Sequence, residues 1–304
     1  VSARLAKTAL SYYSGQRLEE IEKIWHGITP PYVSLFEWLD GKSNIPKIQH
    51  TKTFHPMMLA NPINIEKDFE RLDPNNYQAE WKWDGIRVQA VFDDSNKRLF
   101  SRTGDDISRA FPDIVSELNG RAVLDGELLV GKNFTALPFN KLQQRLNRKS
   151  PAKVHLDAYP AFIRVYDMLF CNNEDIRDLP LQSRRQKLEG WLGRTRNSRL
   201  DISEILSFDS WDSLAALRTE KAETLGHEGV MIKNLQSKYS AGRPKGLWFK
   251  WKRDPKYVDG VMMYAQRGHG RRSSFYSDYT FGIWRGNELV PVGKAYSGFT
   301  DEEL

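Results

Sequence analysis

With Cys171 as its single cysteine, the chain forms no internal disulfide and no four-cysteine zinc site of its own. Long apolar runs are missing too. No stretch reaches the roughly 18–20 uncharged residues of a membrane-spanning helix, and the N-terminus lacks the apolar core of a secretory signal. There is no internal repeat and no low-complexity tract, which sets aside solenoids and disordered arrays. Neither sign of charge dominates: 45 Lys and Arg against 39 Asp and Glu leave a net +6. That mild basic excess suits a polyanionic partner without requiring one. The expectation from these absences is a cytoplasmic, monomeric protein with no membrane contact.

What is present is enough chain for two or three domains, 304 residues of which 40% are hydrophobic. Residues 1–47 read as helical. Leu5, Ala9, Leu10, Leu18, Ile21 and Ile24 recur at mixed three- and four-residue spacing until Pro30 and Pro31, and a short second helix runs from about Tyr32 to Leu39, ending near Gly41. The stretch Lys42 to Thr53 carries Pro46 and little periodicity, so a boundary belongs there. Residues 48–255 alternate short strands with helices, the clearest helix running from Ser210 to Leu225 with Asp209 or Ser210 as cap, Leu214 and Leu217 inward and Gly226 as stop. Residues 256–304 read as all-β, with strand-like runs at Val258 to Ala265, Tyr279 to Trp284 and Leu289 to Val292. The chain starts at Val1 and stops at Asp-Glu-Glu-Leu without a turn or cap, and so reads as a piece of something longer.

The run Glu80-Trp81-Lys82-Trp83-Asp84-Gly85-Ile86-Arg87 is the centre of the functional reading. Tryptophans at alternate positions argue for a strand with Glu80, Lys82 and Asp84 on its other face; Gly85 then permits a tight turn. A lysine on a rigid strand beside a carboxylate and an arginine is a nucleophile suited to a nucleotide phosphate. A solvated strand face would look similar, so the motif needs company. Leu124 to Val130 is an apolar strand interrupted by Asp125 and Glu127, and a carboxylate there is costly unless it meets a cation or ligand. Glu228 to Lys233 repeats the theme. In Leu247 to Lys252 strict alternation sets Lys250 and Lys252 on one face, opposite Phe249 and Trp251, where a phosphate would relieve their repulsion.

In this order the segments resemble the signature of the covalent nucleotidyltransferases, and most closely the ATP-dependent DNA ligases, over about residues 80–252; His55 to Ala60 resembles the ligase lead-in, and the run around Lys82 resembles its bacterial members. The resemblance implies that Lys82 is the residue adenylated, in motif I with Arg87. Ser101-Arg102-Thr103-Gly104 resembles the next motif, whose arginine meets the nucleotide or a nick phosphate. Leu124 to Leu128 is similar to motif III, putting Glu127 near ribose and metal. Val165 to Leu169 is similar to motif IIIa, with Tyr166 stacking on the base. Glu228 to Lys233 resembles motif IV, with Glu228 as metal ligand, Met231 beneath the base and Lys233 near the phosphate. Lys250 and Lys252 correspond to the phosphate-binding lysines of motif V, and Glu80 is placed to help read the exocyclic amine.

The fold this implies is α+β: an antiparallel-sheet nucleotidyltransferase (ATP-grasp-like) domain at 48–255, preceded by the helical end of a DNA-binding domain at 1–47 and followed by an incomplete OB-fold at 256–304. An OB-fold needs five strands, and about three precede Leu304, with the family's final pyrophosphate-binding motif beyond it. The implied chemistry has three steps, AMP passing from ATP to Lys82, then to a nick 5′-phosphate, then being displaced by the 3′-hydroxyl. ATP and Mg2+, the latter on Glu127 and Glu228, would be needed, and nicked duplex DNA is the implied partner. A free lysine is only about one part in two thousand neutral at pH 7, so repulsion from Arg102, Lys250 and Lys252 is expected to lower the pKa of Lys82. Lys141, Arg145 and Arg148, on one face of a helix opposite Leu142 and Leu146, and Arg267, Arg271 and Arg272, in a loop between strands, are the expected DNA contacts. His269 in that loop reads as a surface residue. An RNA ligase, a capping-type enzyme and a non-catalytic scaffold of the same fold are the alternatives.

Overall fold

A computed structural model describes residues 3–28, 30–48, 53–146, 148, 150–224, 227–255, 257–296, 298, 300 and 302–303. The chain divides into two compact units, Val1–Arg253 and Asp254–Leu304.

The first unit opens with helices Ala3–Ser14, Leu18–Trp25 and Val33–Leu39, so the expected run up to Pro30 is two helices rather than one. Ile21, Ile24, Leu35, Trp38 and Leu39 form a small core of their own. Two sheets follow. The first has the order Asn61–Pro62, Trp248–Lys252, Gly229–Asn234, Tyr77–Lys82, Ile205–Leu206. The second runs Lys97–Ser101, Ile86–Phe92, Ala122–Lys132, Ala161–Cys171, Glu174–Asp175, with Thr135–Ala136 and Leu200–Ile202 attached. Neighbours pair antiparallel except at Asn61–Pro62 and Leu200–Ile202, which lie parallel to their partners. The α+β, dominantly antiparallel expectation is therefore met.

Period-two patterning decides which faces are dry. In Tyr77–Lys82, Tyr77, Ala79 and Trp81 point into a core with Val230, Ile232, Phe249, Trp251 and Leu214, leaving Glu80 and Lys82 on the opposite face. Leu214 comes from the helix Trp211–Thr224, whose first turn is capped reciprocally. The Ser213 N–H donates to Ser210 Oγ and the Ser210 N–H to Ser213 Oγ, both at 3.2 Å, a device worth about 1 kcal/mol. Gly226, the expected stop, lies outside the described residues. The second sheet buries Val88, Leu124, Leu128, Val130, Ile163 and Val165 on one side. A further core joins residues of both sheets, Val91, Val123, Leu169 and Trp248, to Met57 and Met58 of the lead-in tract.

Between Lys82 and Ile86 the chain leaves the first sheet and enters the second. Gly85 is required there by approach, not by a left-handed backbone: a Cβ would lie 2.5 Å from the Leu128 carbonyl oxygen and 2.8 Å from Leu129 Cδ2. Any side chain would push the Lys82 strand away from the Glu127 strand.

The second unit is a three-stranded antiparallel sheet, Val261–Arg267, Tyr276–Arg285 and Glu288–Ala295. Its strands are those expected of the tail, and the small sheet is consistent with a partial OB-fold. Among the described residues no helix is long and apolar enough to cross a membrane.

Candidate active site

The strand register of the first sheet lays its polar residues out in rows. Gly229 lies opposite both Lys82 and Lys252; Met231 lies opposite both Glu80 and Lys250; Lys233 lies opposite Gln78 and Trp248. Gly229, at φ +134°, is the only residue type the first row accepts, since a Cβ would meet the Trp251 carbonyl oxygen at 2.1 Å. The second sheet contributes Arg87, Glu127 and Tyr166. These three line a cavity of about 410 Å³ with Glu80, Lys82, Met231, Lys250 and Lys252 of the first sheet, and Leu59, Ala60, Arg102, Glu228 and Arg243 border it too. Every residue expected to touch the nucleotide or metal is in that cavity.

The electrostatics differ along its length. At one end, the Lys82 ammonium pairs with Glu228. Its pKa is lowered, first by burial and only then by Lys252 and Lys250, while Glu127 and Asp84 oppose the shift. The expected like-charge effect is real but secondary, and Arg102 acts instead on Lys250, whose pKa is lowered by partial burial and by Arg243, Lys252 and Arg102. Burial pushes Glu127 up to about 8 despite the nearby Lys82 and Arg87. A carboxyl desolvated this far favours the company of a cation.

At the other end lies Lys233, also in the cavity. Its ammonium is buried, donates to Glu80 Oε1 at 2.8 Å, and lies 4.5 Å and 5.0 Å from the Tyr166 and Trp248 ring centres. Gln78 Nε2 donates to the same oxygen at 2.9 Å. Glu80 Oε2 is left buried with no hydrogen-bond partner, an unmet acceptor on a residue that lines the cavity with Tyr166 and Met231. Arg87 is held rigidly: its Nε and Nη2 donate to Asp125 at 3.0 and 2.6 Å.

The expected DNA contacts fare unevenly. Lys141 is exposed in the helix Phe139–Leu146, and Arg148 is exposed just beyond it. Arg145 is a correction. It is fully buried, its guanidinium bound to Asp113 at 2.8 Å and to the carbonyls of Tyr159 and Ala110 at 2.7 and 3.0 Å. A three-residue step from the buried Leu142 turns it inward, so it is an internal strut. Arg267 is exposed beside the Tyr276 ring, Arg272 is half-buried, His269 is exposed as expected, and the Arg271 side chain lies outside the described residues.

Arg243 and Tyr239 were missed by sequence reasoning. Both sit in the turn-rich segment between Asn234 and Trp248, where no periodicity marks a facing direction. The Gly-Arg-Pro turn at 242–244 was the available signal. Gly242 is stitched to the lead-in tract, its carbonyl accepting from the Leu59 N–H at 2.6 Å, and this brings Arg243 to the cavity.

The fold is that of a nucleotidyltransferase domain, with Lys82 lining the cavity. Residues 57–252 match the model of the ATP dependent DNA ligase domain, and the chain belongs to that family. It is 34% identical over 279 residues to a probable DNA ligase of Koribacter versatilis (83% of this chain, 48% of the relative). To a DNA ligase of Thermococcus onnurineus it is 30% identical over 283 residues (90% and 50%). The chain thus spans about half the length of the curated relatives it matches. Among solved structures, mycobacterial DNA ligase D complexed with ATP and MES aligns with a TM-score of 0.54 at 23% identity (82% of this chain, 74% of that one). A Lig E DNA ligase aligns at 0.61 and 17% (82% and 87%); both likenesses are of fold.

Proposed function

We propose that this chain is the catalytic part of an ATP-dependent, nick-sealing DNA ligase, in which the Lys82 amine attacks the α-phosphate of ATP, forms a phosphoramide bond to AMP and expels pyrophosphate. The observation that carries the proposal is the state of Lys82. Its amine is desolvated into a lowered pKa, in a cavity it shares with Glu127, Glu228 and four cations, Lys250, Lys252, Arg102 and Arg243, that suit a polyphosphate. The adenine would lie at the Glu80 end, between Tyr166 and Met231, its exocyclic amine donating to Glu80 Oε2.

Glu127 and Glu228 fit a magnesium site. Among the described residues no cluster of three or more His, Cys, Asp or Glu is placed for a metal, and Mg2+ commonly uses one or two carboxylates plus substrate phosphates. Once held there, the ion would supply Lewis-acid stabilisation of the phosphate charge. Glu127 and Glu228 are the residues that would hold it, Glu228 being the carboxylate now paired with the Lys82 ammonium. The exposed Lys141, Arg148 and Arg267 and the half-buried Arg272 are proposed to meet DNA phosphates.

The test is incubation with α-labelled ATP and magnesium, followed by denaturing electrophoresis and a chase with nicked duplex. Label should bind covalently and then move to the 5′-phosphate strand. A protein that binds ATP without retaining label would overturn the reading.

A further inference from the structure

We infer that Tyr239 is a positioning residue for the reaction, acting through Asp125 on Arg87. The inference rests on the nucleotide reading of the pocket given above. Asp125 is fully buried and takes three hydrogen bonds: Arg87 Nε to Oδ1 at 3.0 Å, Arg87 Nη2 to Oδ2 at 2.6 Å, and the Tyr239 hydroxyl to Oδ2 at 2.6 Å. The Tyr239 oxygen also accepts from Arg87 Nη2 at 3.3 Å, closing a triangle.

The Tyr239 phenol has contacts of its own outside the triangle. Its ring meets Trp248 edge-on at 5.9 Å and lies 5.7 Å from the Arg184 guanidinium carbon, which is locked to buried Asp167. Its N–H donates to the Arg177 carbonyl at 2.8 Å. The hydroxyl therefore holds the Asp125 carboxylate in the rotamer that grips Arg87. Only Arg87 of the three lines the cavity, so Tyr239 touches no reacting group; it removes freedom from one that does.

The experiment is a double-mutant cycle on the full chain, reading the rate of AMP attachment from labelled ATP, normalised to folded protein measured by circular dichroism. Tyr239→Phe keeps the ring and its packing and removes only the hydroxyl. It should lower the rate about tenfold, the equivalent of one hydrogen bond to a charged group. In an Arg87→Ala background the same change should have almost no further effect. Losses that multiply, or a silent Tyr239→Phe beside a costly Arg87→Ala, would overturn the inference alone. If Arg87→Ala itself leaves the rate unchanged, the placing of the nucleotide against Arg87 fails, and the inference with it.

Discussion

Lys82 and Glu228 are joined twice: the Glu228 N–H donates to the Lys82 carbonyl at 2.8 Å, and their side chains form an ion pair at the edge of the cavity. The backbone bond fixes their relation whatever the side chains do. Lys82→Ala should therefore abolish covalent AMP attachment while leaving the thermal melt close to that of the parent, because the strand pairing persists. Denaturing gels with labelled ATP check this; label retained at another residue would overturn it.

Tyr166, Met231 and Glu80 all line the cavity, Met231 lying opposite Glu80 in the sheet. Replacing Tyr166 by Ala should weaken ATP binding by roughly 1–3 kcal/mol, the range for a lost base–aromatic stack. Titration calorimetry measures it, and an unchanged affinity would refute the stacking role.

Glu127 gives a pH signature. Its folded-state pKa is raised to about 8 from 4.5, so the folded protein holds a proton that the unfolded chain has released between those values. The associated stability is present below about pH 4.5 and lost as pH rises to about 8. Glu127→Gln should remove this loss, making the nucleotide-free protein about 1–3 kcal/mol more stable at pH 8 and inactive. Urea unfolding at pH 5 and pH 8 provides the comparison; a variant no more stable than the parent at pH 8 contradicts it.

His227 works in the opposite sense. Burial, with help from Arg164 and Arg253, lowers it to about 4 from 6.5, between the rings of Trp81 and Trp83 at 5.0 and 4.4 Å. Its contribution is fully present above about pH 6.5 and lost as pH falls toward 4, because the unfolded chain binds the proton first. His227→Phe, which keeps a ring in place, should gain stability relative to the parent at pH 5 but not at pH 7.5. Equal differences at both pH values would rule out the titration.

Arg145→Ala should cost about 3–5 kcal/mol, since it leaves Asp113 buried without its cation, yet leave the DNA affinity of the folded fraction unchanged. Lys141→Ala and Arg148→Ala should do the reverse, preserving stability and flattening the salt dependence of DNA binding. Fluorescence anisotropy across a salt series separates the two behaviours.

Local sequence was sufficient wherever a two-residue period decides a facing direction. The alternation at 77–82 and 248–252 set Glu80, Lys82, Lys250 and Lys252 on the cavity side of their strands before any partner was known, because successive side chains of a strand must point opposite ways. The Ser210 cap was legible for the same local reason. The ordered motifs named the residues that the fold brings into one cavity. Tertiary structure alone decided what each charge meets. Arg145 and Lys141 carry the same formal charge on one helix, but one pairs with Asp113 inside and the other is solvated. Lys233 finds Glu80 across 153 positions, and Tyr239 finds Asp125 across 114. Hydrogen bonds and desolvation depend on which groups come within about 3 Å after folding, and spacing along the chain carries no information about contacts that distant.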